Sequence, residues 1–127
     1  MASGALRVKV SMTEDEIVLI KVDGELTIFT EEYEMLYKEI GAYIKMGLYR
    51  FVVDLRGVTY LDSSGLGLII RMATHAFKQN SRVCVLYDSP QVEKLFYVSN
   101  IDKIVQVVSS VEESYQFLRN TKAEDLD

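Results

Sequence analysis

Apolar and polar residues alternate from Leu6 to Met12, and this period of two predicts a half-buried strand. Thr13-Glu14-Asp15-Glu16 is a polar turn, and Ile17 to Val22, rich in β-branched residues, is a second strand. The short connection makes the pair an antiparallel hairpin. Asp23-Gly24 is a turn signal that predicts the end of the second strand. Tyr33, Leu36, Ile40, Tyr43 and Ile44 then fall at helical spacing, behind a Thr30 cap with Glu31 and Glu32 in the first turn. That helix ends near Met46-Gly47. Phe51 to Leu55 is a continuous apolar run, typical of the centre of a parallel sheet, and a short loop is expected after it. Leu66, Ile69, Ile70, Ala73 and Phe77 mark a second helix, capped by Asp62 or Ser63 and ending near Asn80. Arg82 to Leu86 is the next strand. Ser89 caps a helix with Pro90 at its first position and Val92, Leu95 and Phe96 on one face. Val105 to Val108 is a last short strand. Val111, Tyr115 and Leu118 define a final helix with Glu112 and Glu113 near its start.

The order β-β-α-β-α-β-α-β-α predicts an α/β fold. A mainly parallel, mixed five-stranded sheet begins with an antiparallel hairpin and is packed with about four helices. At 127 residues the chain makes one domain, with a flexible leader over about residues 1–5 and a solvated acidic tail over about 121–127. α/β domains place their sites at the carboxyl ends of parallel strands. Three segments fall there: the Asp23–Leu26 turn, the loop from Tyr60 to Gly67, and Tyr87-Asp88-Ser89. They are expected to converge.

Composition narrows the chemistry. With 49% apolar and 26% charged residues, the chain reads as globular. Its single cysteine, Cys84, excludes an internal disulfide and a Cys-rich metal site, and its apolar neighbours make it a small buried hydrophobe. A net charge of −5 argues against nucleic acid. No apolar run has the length of a membrane span and no signal-peptide pattern opens the chain, so no membrane partner is expected and the cytoplasm is the default. No metal or cofactor is called for. Tyr49, Tyr60, Tyr87 and Tyr97 fall near element ends, where tyrosines either sit half-buried or serve protein interfaces.

The chemistry-bearing stretch is Asp62-Ser63-Ser64-Gly65-Leu66-Gly67. It sets two hydroxyls where helix N–H groups lack intrahelical partners and the helix dipole is positive. Two readings fit these residues: a capped helix start with small residues for close packing, or a serine placed to carry phosphate. A serine hydrolase does not fit. The only histidine, His75, lies about 18 Å along the helix from Ser63 at ~1.5 Å per residue, and there is no Gly-x-Ser-x-Gly elbow. No Gly-Lys-Ser/Thr comes after the glycines, so this is not a P-loop. Asp54 has neither the acidic pair nor the lysine that a receiver domain needs, and reads as a strand-end residue bonding nearby backbone.

The Asp-Ser-Ser-Gly-Leu-Gly stretch resembles the signature of the STAS domain, the fold of bacterial anti-sigma factor antagonists. Val22-Asp23-Gly24-Glu25-Leu26 resembles the family's second strand and its following turn. Ser89 to Phe96 and Ile101 to Ile104 resemble later segments, in the same order, so the likeness spans roughly residues 6–120. It implies a binding switch, not an enzyme. Unphosphorylated, the protein would hold an anti-sigma factor of the serine-kinase type; phosphorylation of Ser63 by that kinase would release it, and a serine phosphatase would reset it. Asp62, Ser64, Gly65, Leu66, Gly67, Gly24, Glu25 and Thr27 would shape the partner-binding surface. Thr27 stands where the family often has Asp and offers a hydroxyl without the charge. Self-association as a homodimer is an option. Other STAS uses are an assembly subunit without phosphorylation, in a stress-sensing scaffold or lipid-transport complex, and a small-ligand module with a pocket near Thr27 and Ser63.

Overall fold

The computed structural model describes residues 6–120. The leader and acidic tail expected at the two ends lie outside the described residues. Five strands form one sheet in sequential order: β1 Arg7–Met12, β2 Val18–Leu26, β3 Phe51–Leu61, β4 Val83–Leu86 and β5 Val105–Val107. β1 pairs antiparallel to β2, and every later neighbour is parallel. The helices are α1 Glu31–Lys45, α2 Ser63–Lys78, α3 Pro90–Val98 and α4 Val111–Asn120, with a short 3-10 turn at Ile101–Lys103 before β5. The expected fold class is the one observed.

Sequential strand order has a consequence for layering. Right-handed crossovers that all step the same way put their helices on the same face. α1, α2 and α3 accordingly bury Leu36, Ile40, Leu68, Ile69, Met72, Val92 and Phe96 against Val18, Ile20, Phe51, Val53, Val83 and Val85. The other face has α4 alone, which packs Leu118, Val111 and Tyr115 over Ile17, Val52, Cys84 and Leu86. Cys84 is buried there, and burial, reinforced by nearby Glu113, pushes its thiol up to about 12. Further across this face, Lys9 stands opposite Lys21, and both are exposed. Charged side chains that reach solvent need no cover, so one short helix suffices. Arg119 anchors the far end of α4 by hydrogen bonds of 2.8 and 3.1 Å to Asp15 in the β1–β2 turn.

Three expectations need correction. β2 does not end at Asp23-Gly24 but runs to Leu26, and the loop expected after Leu55 is strand as far as Leu61. The reason is a pair of bulges. From Lys21↔Asp54 to Asp23↔Gly57, two steps in β2 match three in β3; from Gly24↔Val58 to Glu25↔Tyr60, one step matches two. Gly24 has φ +99, so the residue that looked like a turn former serves an irregular ladder instead. The inward residues of β3 therefore run Val53, Leu55, Val58, Leu61, with spacing lengthening from two to three, and all four are buried in the larger core. Asp54 is likewise mid-strand, not at a strand end. Its Oδ1 accepts from the Arg56 backbone N–H at 3.1 Å and from Arg56 Nε at 3.0 Å, and Oδ2 from Nη2 at 2.9 Å. The Arg56 guanidinium, opposed by burial, holds the Asp54 carboxyl below the usual range.

Candidate functional site

Because β3 outruns β4, its last turn toward the loop has no ladder partner on that side. β4 pairs with β3 only from Val52↔Cys84 to Asp54↔Leu86. The Gln91 side chain, near the start of α3, fills the gap. Its Nε2 donates to Leu61 O at 3.0 Å, and its Oε1 accepts from Leu61 N–H at 3.2 Å. On the other side, Asp62 N–H reaches Leu26 O at 3.5 Å. The Asp62 loop thus touches the end of β2 on one side and, through Gln91, the first turn of α3 on the other, just past the expected Tyr87-Asp88-Ser89 segment.

Asp62 is the N-cap of α2. Its Oδ1 accepts from Ser64 N–H at 3.0 Å and Gly65 N–H at 2.9 Å, while its carbonyl takes Leu66 N–H at 2.9 Å. One carboxylate oxygen thus occupies two of the amides that the helix start would otherwise offer an anion. Ser64 is half-buried, and its carbonyl accepts from the Tyr33 hydroxyl at 3.0 Å, which ties α1 to α2. Burial, and secondarily the nearby Asp62 charge, raises the Tyr33 pKa, which keeps that hydroxyl a donor. Ser63 differs from Ser64. It is exposed at the first position of α2, whereas Ser64 is half-buried; neither hydroxyl takes part in these bonds.

The glycines differ too. A Cβ on Gly65 would stand 2.5 Å from Leu26 O and 2.5 Å from Leu61 Cδ1, whereas one on Gly67 would meet nothing within 4 Å. Gly65 and Leu66 are buried and hold α2 against the sheet. Ser63, Gly67, Ile70, Thr74 and Phe77 form an exposed stripe along α2. Ile70 and Phe77, placed by their spacing on the apolar side of this helix, are 39% and 53% exposed, so the stripe has apolar character. Loop 27–30, which follows Leu26 at the same end of the sheet, presents Ile28 and Phe29, the latter 89% exposed. Thr27 turns its hydroxyl into its own loop, where it accepts from Phe29 N–H at 3.4 Å. Gly24 and Glu25 lie in the β2–β3 ladder below the loop, with Glu25 opposite Tyr60. His75 is engaged elsewhere, its ring 3.2 Å from Leu48 O. Gln91 and Phe29 are site residues the sequence reading missed: Gln91 acts on backbone 30 residues away, and Phe29 lies outside any periodic segment.

This is a small α/β domain that gathers its loops at the carboxyl edge of the sheet and presents one serine at a capped helix start. The chain belongs to the STAS domain family, whose pattern matches residues 9–114. A STAS-domain containing protein of Pseudomonas aeruginosa is 40% identical over 58 residues; that match covers 46% of this chain and 57% of the relative, little more than half its length. The anti-sigma-B factor antagonist of Staphylococcus epidermidis is 26% identical over 102 residues, covering 80% of this chain and 93% of that protein. Among solved structures, an anti-sigma factor antagonist from Mycobacterium paratuberculosis superposes with TM-score 0.78 at 20% identity, over 94% of this chain and 98% of that one. SpoIIAA in its unphosphorylated form gives 0.73 at 22%, over 91% and 100%. These structures share the fold. No helix among the described residues is long and apolar enough to cross a membrane.

Proposed function

We propose that this domain is an anti-sigma factor antagonist switched by phosphorylation of Ser63. It acts by binding, not catalysis: unmodified, it occupies a serine-kinase-type anti-sigma factor in the cytoplasm and frees the sigma factor. The kinase supplies ATP and base, so the substrate need only offer a hydroxyl. The observation that carries this reading is the contrast between the two serines. Ser63 is exposed, while Ser64 is half-buried and its backbone is tied to Asp62 and Tyr33. Relatives named as anti-sigma-B factor antagonists support the class of partner.

The same geometry supports a route by which phosphate would act. Asp62 already holds the Ser64 and Gly65 amides, so a phosphate on Ser63 gains neither. It adds about −1.5 to −2 charge beside a carboxylate, at the head of the exposed α2 stripe. Docking would then require desolvating an unpaired dianion, which is costly without cations from the partner. The switch is exclusion at the surface and needs no refolding. A metal-dependent serine phosphatase resets it.

Incubation with the cognate kinase and ATP, followed by site mapping, is expected to place one phosphate, on Ser63. Phosphate on Ser64 alone, or on neither serine, removes the reading. The exposed Phe29 is the expected apolar anchor. Phe29→Ala should weaken the kinase complex by roughly 10- to 100-fold, the range of an aromatic hot spot. Its effect on the melting transition should be small, because the side chain buries almost nothing in the free domain. Calorimetric titration beside a thermal melt checks both halves.

A further inference from the structure

α4 covers only part of its face of the sheet. Between it and the sheet edge at β1, the exposed side chains include Arg7 and Lys9 from β1 and Lys21 from β2. Arg7 stands opposite Asp23. Lys9 stands opposite Lys21, and like charges directly across a ladder destabilise it. Asp54, opposite Lys21 on β3, is already engaged by the Arg56 side chain and backbone. Neither lysine forms an ion pair among the described residues. Arg7, Lys9 and Lys21 line an open groove of about 570 Å3, together with Asp23 and, from α1, Glu32. Two cations without a matching carboxylate thus stand side by side on an open sheet face.

We propose that residues 121–127 of the same chain dock on this face, with Glu124, Asp125 and Asp127 supplying the carboxylates that Lys9 and Lys21 lack. The sign is right, since that segment holds three carboxylates against the single cation Lys122. So is its point of departure. α4 ends at Asn120, and Arg119 is held by Asp15 in the β1–β2 turn, so the segment sets out from the foot of the hairpin that carries both lysines. The reach also fits. The Lys9–Lys21 pair stands three residues above the Met12–Val18 pair at that foot, about 10 Å at ~3.3 Å per residue. Glu124 and Asp125 lie four and five residues beyond Asn120, a span of up to about 13–17 Å when extended. A segment tethered so closely meets the lysines at an effective concentration of about millimolar, which neither a second copy nor a separate acidic protein has unaided.

The test is paramagnetic relaxation of amide NMR signals in the full chain, with Leu126→Cys carrying a nitroxide. Cys84 is buried and its thiol is pushed up to about 12, so the label goes to position 126 alone. Expected is broadening of the Lys9 and Lys21 amides that falls about threefold or more in 1 M salt, where the screening length is about 3 Å. Glu124→Lys together with Asp125→Lys should remove the broadening, and adding Lys9→Glu with Lys21→Glu should restore it. The two changes in 121–127 leave the strands as they are, so their result stands even if the strand changes impair folding. Broadening that stops at the last turn of α4 and the Asp15 turn, or that persists at the lysines through salt and charge reversal, overturns the proposal. So does equal broadening of isotope-labelled, nitroxide-free chains mixed with nitroxide-bearing ones, which would make a second copy the source of the carboxylates. None of this requires a kinase, so its failure is separate from failure of the antagonist reading.

Discussion

Ser63→Asp is expected to weaken the complex with the cognate anti-sigma factor by about 100-fold or more, about 2.7 kcal/mol, while Ser63→Ala stays within about threefold of wild type. The asymmetry comes from the surface. Alanine removes a hydroxyl that takes no part in the loop's hydrogen bonds, whereas aspartate sets a second carboxylate next to Asp62. Folding should not be the cause. A carboxylate at the first position of a helix is favourable toward the dipole, so Ser63→Asp should melt at or slightly above the wild-type temperature. Ser64→Ala is the control. Ser64 contributes its backbone N–H and carbonyl to the loop, and both survive the change, so phosphorylation of Ser63 should persist. Equal affinity of the Asp and Ala variants for the kinase would end the switch hypothesis.

The second large effect separates two glycines that look equivalent in the motif. Gly65→Ala should destabilise the domain by about 1–3 kcal/mol, because the new methyl overlaps the Leu26 carbonyl and the Leu61 side chain, and the backbone cannot step aside without lifting α2 from the sheet. Gly67→Ala should stabilise it by about 0.5–1 kcal/mol, since the position is helical and open and alanine loses less entropy there. Under the antagonist reading the same methyl stands on the exposed stripe next to Ser63 and should weaken docking even as it strengthens the fold. Urea denaturation of both variants, paired with a binding assay, tests the two signs together. Destabilisation by both substitutions would mean that the open space at Gly67 is needed by the domain itself.

Where local chemistry settles the backbone, the sequence is readable. Thr30, Asp62 and Ser89 each bond an amide two or three residues ahead, and each is identifiable as a cap from its own side chain and the helical residues after it. The five strands and four helices are readable for the same reason, since each carries a run of the right period. The upper half of β3 is not. Its apolar residues fall at intervals of three, which fits neither a strand nor a loop until the bulges are known, and a bulge is a relation to the partner strand. Gly24 misleads because positive φ serves a turn and an irregular ladder alike. The exposure of Ile70 and Phe77 is hidden by an apolar pattern wider than the face α2 buries. At the site, the motif marks the loop, but the distinction between Ser63 and Ser64 depends on Tyr33, 31 residues away from its bonding partner.

The paired bulges make the position of the serine a matter of parity. Each adds one residue to β3 relative to β2 and each turns the following side chains to the opposite face, so two together return Leu61 to the core and leave Ser63 outside. A one-residue deletion between Arg56 and Tyr60 would act like a frameshift in three dimensions, turning Leu61 outward and carrying the Ser63 loop with it. A second deletion at the other bulge would restore the frame. Over evolutionary time, length changes in this strand should therefore be accepted in compensating pairs, and relatives with shorter connections before the serine should have lost both irregularities or neither.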